Sequence, residues 1–150
     1  MGIKSIVGGV ALIFLTSAAI ADLTPWQDYE ASDAVYSVTT VKVDANMGDA
    51  YLEGIKQTWA ASNDVAKELG QIEDYKIYRS DLPQSGHFNL LLVIKFANTS
   101  DLAPNKERYD AFIEAWGQAN VDASTDYAQK NYPAMRKITG QYMMREITLK

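Results

Sequence analysis

The feature that most restricts the fold of this chain is the apolar run at residues 88–96. It is rich in aromatic and branched residues, as strands are. Alternate side chains of a strand point to opposite faces. One face would then carry Phe88, Leu90, Leu92, Ile94 and Phe96, and the other Leu91 and Val93. A strand that is apolar on both faces is buried on both faces, which predicts the centre of a sheet covered on each side.

Around this strand the sequence predicts a regular order of elements. The predicted elements are a strand at 35–43, a helix at 48–69, a strand at 72–80, the strand at 88–96, a helix around 109–116 and a strand at 142–149. Asn46 is expected to cap the first helix and Gly70 to end it. Residues 117–139 have a weaker pattern, which favours one or two short helices near 122–130 and 134–138, with Gly140 as a stop.

Strand, helix, strand, strand, helix, strand is the order of a ferredoxin-like βαββαβ unit. The prediction is an α+β domain with a four-stranded antiparallel sheet and both helices on one face. The first and third strands would be central, and Arg79 and Arg145 would lie on the edge strands. The face bearing Leu91 and Val93 then needs a cover, and the simplest cover is the same face of a second copy. The alternative is that residues 22–33 or 117–139 fold over it.

In their order of elements, and in having a strand that is apolar on both faces, residues 34–149 resemble the dimeric α+β barrel superfamily. In that superfamily two ferredoxin-like units pair their sheets face to face. The resemblance implies a homodimer and a cavity between sheet and helices. Members include cofactor-free quinol monooxygenases, polyketide cyclases, haem-degrading enzymes and stress-response proteins. Because one fold supports many reactions, the resemblance does not specify an activity, and no cofactor is expected.

The N-terminal residues 1–21 have the three parts of a secretory signal peptide. Lys4 supplies the charge, residues 6–15 are mostly apolar, and Ala19 and Ala21 are the small residues before a cleavage site. We therefore expect a periplasmic or secreted protein that keeps no stable membrane anchor after cleavage. The predicted organisation is a signal peptide, an N-terminal arm at 22–33 that packs by its aromatic residues rather than as a regular element, and a domain at 34–150.

Composition narrows the possible partners. The net charge is −5 at pH 7, and the chain has no cysteine and one histidine. An acidic surface repels phosphate backbones, so a nucleic-acid partner is not expected. Without cysteine the chain forms neither disulfides nor thiolate metal sites, and a single histidine does not favour a transition-metal site.

Candidate catalytic residues follow by elimination. His87 is the side chain that titrates nearest to neutral pH, and it precedes the apolar strand at the end of a glycine-containing loop. Tyr75 and Tyr78 lie on the preceding strand and could share proton transfer with it. The alternative is that His87 is an ordinary solvated loop residue.

Candidate ligand-binding residues are Tyr51, Trp59, Tyr36 and Trp116. Aromatic side chains with polar atoms often line cavities, although packing in the core explains the same spacing. The sequence favours an exported homodimer that binds a small apolar or aromatic ligand. The alternatives are a cofactor-independent oxygenase, lyase or cyclase acting on an aromatic or polyketide-like molecule, and a protein-interaction module.

Overall fold

A computed structural model describes residues 22–82 and 86–150. The predicted signal peptide lies outside the described residues. The strands are β1 (Tyr29–Ala31), β2 (Val35–Val43), β3 (Asp74–Arg79), β4 (Leu90–Phe96), β5 (Arg136–Met144) and β6 (Ile147–Leu149). The helices are α1 (Gly48–Ile55), α2 (Ala61–Glu68), α3 (Lys106–Trp116) and α4 (Gln118–Asn131). Within these ranges no helix is both long enough and apolar enough to span a membrane.

The main sheet is antiparallel, with strand order β3-β4-β2-β5. Strands β2 and β4, which are the first and third of the strands predicted from the sequence, are therefore central. The ferredoxin-like prediction is confirmed. A separate two-stranded sheet joins β1 to β6.

The core lies between the sheet and the helices. Val41, Leu90 and Leu92 are buried on the covered face of the sheet, where they pack with Tyr51 and Ile55 of α1. Tyr51 and Ile55 are each only 1% exposed, so the first helical turns are fixed to the middle of the sheet. This face is called the helix face below.

The predicted helix at 48–69 is one continuous helical segment with a π-helical turn at Lys56–Ala60 between α1 and α2. Gly70 ends it with a φ of 66°, as predicted. The prediction that Asn46 caps this helix was wrong. Asn46 has a φ of 65°, and the N-cap is Met47, which makes no side-chain cap hydrogen bond.

The C-terminal third differs most from the prediction. Residues 118–131 form one helix, and residues 136–138, predicted as helical, begin β5, which continues through Gly140. Gly140 is not a stop, because it pairs with Thr40 of β2 within the strand, and the ring of Tyr142 packs over it. A Cβ atom at Gly140 would lie 2.7 Å from the Tyr142 hydroxyl.

The predicted final strand at 142–149 is divided between β5 and β6, with Arg145 and Glu146 between them. Arg145 therefore does not lie on an edge strand. The arm at 22–33 also contains a regular element, because Tyr29–Ala31 pairs with Ile147–Leu149.

Candidate functional site

The sheet has a second face, opposite the helix face, and its composition follows from the strand register. Val38 lies between Val93 and Tyr142, and Thr40 lies between Leu91 and Gly140. On the outer side of β4, Tyr78 is the partner of Leu91 and Lys76 is the partner of Val93. The next row contains Asp74, Lys95, Tyr36 and Met144. Leu91 and Val93 thus lie on the face that the sequence assigned to them.

This second face is open in the described part of the chain. Helices α1 and α4 contribute Tyr51, Ile55 and Tyr127 to the core on the other side of the sheet, and α3 packs on α2 and α4. Tyr78 and Tyr142 are each 55% exposed. The proposed internal covers, residues 22–33 and 117–139, are used elsewhere, in the pairing with β6 and in α4.

Ion pairs flank the apolar part of the second face on the β3 edge. Asp74 accepts from Lys67 at 2.8 Å and from Lys76 at 2.7 Å, and Lys95 pairs with Glu73 at 2.6 Å. The hydrogen bond from Lys67, followed by that from Lys76, holds the pKa of Asp74 well below its usual range. The second face therefore has an apolar centre with a charged margin.

A pocket of about 600 Å³ lies at one end of the sheet, where β2 and β3 end and β4 and α1 begin. Its charged side chains are those of Lys42, Asp44, Asp49 and Arg79. The remaining lining residues are Val43, Ala45, Asn46, Gly48, Ser80, Leu82, Asn89 and Leu90. The charged groups give this pocket a polar character, unlike the aromatic lining expected from the sequence.

Two side chains shape this pocket. Asn89 is held by the backbone of Val43, which donates to Asn89 Oδ1 at 2.7 Å and accepts from Asn89 Nδ2 at 2.8 Å. Arg79 donates to Asp49 Oδ1 at 3.3 Å, and a Cβ atom at Gly48 would lie 3.2 Å from its guanidinium. The Arg79–Asp49 pair is open to solvent, with the Asp49 side chain 98% exposed. Pairs of this kind are weak, so Arg79 can exchange Asp49 for another anion.

The three candidate catalytic residues are not brought together within the described chain. His87 is exposed in the turn before β4 and is not among the pocket-lining residues. Tyr75 pairs with Ile94 and Tyr78 with Leu91, so the two tyrosines point to opposite faces of the sheet. A catalytic role for these residues stays a prediction.

Tyr75 has a defined partner on the helix side. Its hydroxyl donates to Asp64 Oδ1 at 2.7 Å, and its ring packs edge-on against Trp59, with the centroids 5.3 Å apart. The hydrogen bond to Asp64, with burial as a smaller cause, raises the pKa of Tyr75 to about 12. At neutral pH this phenol is a hydrogen-bond donor and not a base.

The four candidate ligand-binding residues are also dispersed. Tyr51 is buried in the core and Trp59 packs on Tyr75, both on the helix face. Tyr36 lies on the second face, and Trp116 is the last residue of α3. None of the four lines the pocket at the strand ends. Their role in binding stays a prediction.

A cluster that the sequence did not indicate surrounds Arg136. Its guanidinium carbon lies 5.0 Å from the ring centroid of Tyr132 and 5.8 Å from that of Tyr51. Tyr132 shares a 2.5 Å hydrogen bond with Thr58, in the π-helical turn. Burial raises the pKa of both tyrosines. Tyr51 appeared in the helical stripe, but nothing local linked it to Arg136, which lies on another element.

Within residues 22–82 and 86–150, no three histidine or acidic side chains are grouped closely enough to hold a metal ion.

No known protein family and no curated protein matches the sequence. Solved structures do resemble the fold. HapK from Hahella chejuensis is 12% identical with a TM-score of 0.45, over 75% of this chain and 91% of its own. A NIPSNAP-like domain protein from Burkholderia xenovorans is 13% identical with a TM-score of 0.44, over 79% and 85%. A dimeric ferredoxin-like protein of unknown function from Bacteroides fragilis is 11% identical with a TM-score of 0.42, over 81% and 100%. These similarities concern the fold, and a ferredoxin-like neighbour is what the sequence predicted.

Proposed function

We propose that this chain is exported and acts as a homodimer in which the second sheet faces of two copies pack together. The observation that carries the proposal is the apolar centre of that face, in which half-buried Val38, Leu91 and Val93 lie beside exposed Tyr78 and Tyr142. Exposed apolar patches of this kind mark interaction sites. Two sheets can stack about 10 Å apart with their side chains interleaved.

The distribution of charge supports this arrangement. Charged residues are depleted from the centre of protein interfaces and common at the rim. On this face the lysines and acids lie in the outer rows and on the β3 edge, whereas the row through Val38 and Val93 ends in Tyr142 on the β5 side. If a second copy packs through the same face, the apolar centres of the two faces contact each other.

Val93→Asp tests the proposal, because it places a charge at the centre of the closed interface. An unpaired buried charge costs several kcal/mol. The dimer should therefore dissociate roughly a hundredfold or more readily, since each 1.4 kcal/mol is about a factor of ten. Sedimentation equilibrium measures the dissociation constant, and circular dichroism checks that the monomer is still folded.

Leu69→Asp is the matched control. Leu69 is 40% exposed at the end of α2, away from the second face. It should leave the dissociation constant unchanged. A Val93→Asp protein that dimerises as tightly as the wild type would refute the sheet interface. A wild-type protein that is monomeric at all concentrations would instead favour the interaction-module alternative, with a different protein on this face.

A second candidate function is binding of a small polar molecule in the pocket at the strand ends. The pocket volume of about 600 Å³ falls within the range of roughly 300–1,000 Å³ typical of ligand sites. Arg79, loosely paired with exposed Asp49, is the group that would bind a carboxylate or phosphate of the ligand, because guanidinium matches such groups bidentately.

This candidate is tested by thermal shift with two probes, citrate and inorganic phosphate, on the wild type and on Arg79→Gln. An anion that binds through Arg79 should raise the melting temperature of the wild type and not that of the variant. Asp81→Asn, a nearby charge change outside the pocket lining, should respond like the wild type. Equal shifts in all three proteins would show that the anions act on solvation rather than on this pocket.

A further inference from the structure

The pocket at the strand ends is lined by equal numbers of cationic and acidic side chains. The cations are Lys42 and Arg79, and the acids are Asp44 and Asp49. All four lie at or next to the end of β2, the end of β3 or the start of α1. The fold therefore brings both signs of charge to one cavity of about 600 Å³.

The two acids are weakly engaged within the chain. The carboxylate of Asp44 forms no hydrogen bond or ion pair with the residues that the structure describes. The Asp49 side chain is 98% exposed, and its contact with Arg79 is a single one of 3.3 Å. A carboxylate that lines a cavity in this state can accept hydrogen bonds from the ammonium group of a ligand.

The position of the Arg79 guanidinium depends on the absence of a side chain at residue 48. A Cβ atom at Gly48 would lie 3.2 Å from Arg79 Nη2 and 3.4 Å from Cζ, so glycine lets the guanidinium lie against the start of α1. Guanidinium has five N–H donors in a plane that matches a carboxylate. Because Asp49 occupies only Nη1, donors remain at Arg79 for the carboxylate of a ligand.

The other cation and the nearby amide of the lining are held by the protein itself. Lys42 donates to the Gly86 carbonyl at 2.9 Å. Asn89 uses both atoms of its amide on the backbone of Val43. Arg79 is therefore the lining cation that is more weakly held by the rest of the chain.

We propose that this pocket binds a small zwitterion, with its carboxylate on Arg79 and its ammonium on Asp44. The inference rests on the second candidate function, which it narrows to one class of ligand. The chain has a net charge of −5 at pH 7, and a simple anion in the pocket would lie near Asp44 and Asp49. A zwitterion has no net charge, so it avoids this repulsion and pairs with both signs.

A series of amino acids tests the proposal, with binding measured by NMR chemical-shift titration of the purified protein. The probes are glycine, β-alanine, γ-aminobutyrate and ε-aminocaproate, which carry the same two charges at increasing separation. The best of them should bind roughly tenfold or more tightly than butyrate and butylamine, which carry one charge each. The reason is that a hydrogen bond to a charged group is worth about a factor of ten in affinity.

Two substitutions separate the two ends of the ligand. Arg79→Gln should weaken binding of the best zwitterion roughly tenfold and leave that of butylamine unchanged, and Asp44→Asn should do the same with butyrate unchanged. Asp81→Asn, outside the pocket lining, is the matched control and should leave every affinity unchanged. All three side chains are exposed, so none of the changes should disturb folding, which circular dichroism would check.

The outcomes distinguish this inference from the candidate on which it rests. If citrate or phosphate binds through Arg79 while no amino acid binds more tightly than butyrate, the pocket binds anions and the zwitterion is wrong. An amino acid that binds equally well to the wild type and to Asp44→Asn would also overturn the inference, because its ammonium would then lie elsewhere. If neither the anions nor the amino acids bind, both the inference and the second candidate function fail.

Discussion

Gly54, in the last turn of α1, allows a prediction in which two known effects oppose each other. A glycine in the middle of a helix costs about 1 kcal/mol relative to alanine, so Gly54→Ala alone should stabilise the fold. However, a Cβ atom here would lie 2.7 Å from Tyr127 Cε1 and 3.1 Å from Tyr132 Cε1.

Neither ring can move away easily. Tyr127 and Tyr132 pack edge-on with their centroids 5.6 Å apart, and the Tyr132 hydroxyl is bonded to Thr58. Overpacking a core typically costs about 1–3 kcal/mol, and a contact of 2.7 Å points to the upper part of that range. When the gain in helix propensity is subtracted from this cost, Gly54→Ala should lower the free energy of unfolding by about 1–2 kcal/mol. The melting temperature would fall by roughly 3–8 °C.

Urea unfolding followed by circular dichroism measures the change, and Tyr127→Leu provides the control. Leucine lacks the ring carbon that the new methyl group would meet, so in that background Gly54→Ala should lose most of its cost. The double-mutant cycle then gives a coupling between the two sites. If Gly54→Ala is more stable than the wild type, the packing of the two tyrosines against α1 is not as described, and the reasoning fails.

Two further predictions concern Tyr75 and the N-terminus. Tyr75 should ionise at about pH 12, observed by NMR of labelled tyrosine rings and assigned with Tyr75→Phe, and Asp64→Asn should bring its pKa back toward the ordinary value of 10.0. Because the folded-state pKa is raised, the Tyr75–Asp64 hydrogen bond stabilises the fold below pH 10 and is lost as the pH rises toward 12; an unchanged titration in Asp64→Asn would contradict this. Export from a bacterial host should yield a protein that begins at Asp22 by intact mass, and a membrane-bound product of full mass would contradict the signal peptide.

The sequence predicted those parts of the fold that local pattern determines. The strand at 35–43 has the same bounds in the structure, and Leu91 and Val93 lie on the second face as expected. Both results follow from the two-residue period of a strand, which can be read without knowing its partners. The end of the first helix at Gly70 could also be predicted from a local signal, because the positive φ at that position favours glycine.

Strand β5 could not be found in the same way. Ala134 follows a proline and Gly140 interrupts the apolar pattern, so the local signal favoured a short helix and a stop. What makes this segment a strand is β2, about a hundred residues away, where the Thr40 and Thr139 hydroxyl oxygens lie 2.8 Å apart. Pairing with a strand that is distant in sequence therefore overrides the local helical propensity of this segment.

The sequence pattern also did not predict which candidate site residues lie close together. Tyr75 and Tyr78 were grouped because they are close in sequence, but three positions along a strand places their side chains on opposite faces. Arg136, Tyr51 and Tyr132 were not grouped, because they come from three elements that meet only in the folded chain. Periodicity predicts which face a residue occupies, and it does not predict which residue of another element lies opposite.

The two edges of the main sheet differ in what they can accept. On the β3 edge, Asp74 is bonded to Lys67 and Lys76, and a partner placed there would have to remove water from three charges, which costs free energy unless each is paired again. Edge strand β5 is exposed along most of its length, and its apolar residues lie on both faces, Tyr142 and Met144 on one and Ile138 and Met143 on the other. Charged edges discourage association, whereas long apolar edges invite it. In the proposed homodimer the second copy is therefore expected to contact the β5 side of the sheet more extensively than the β3 side.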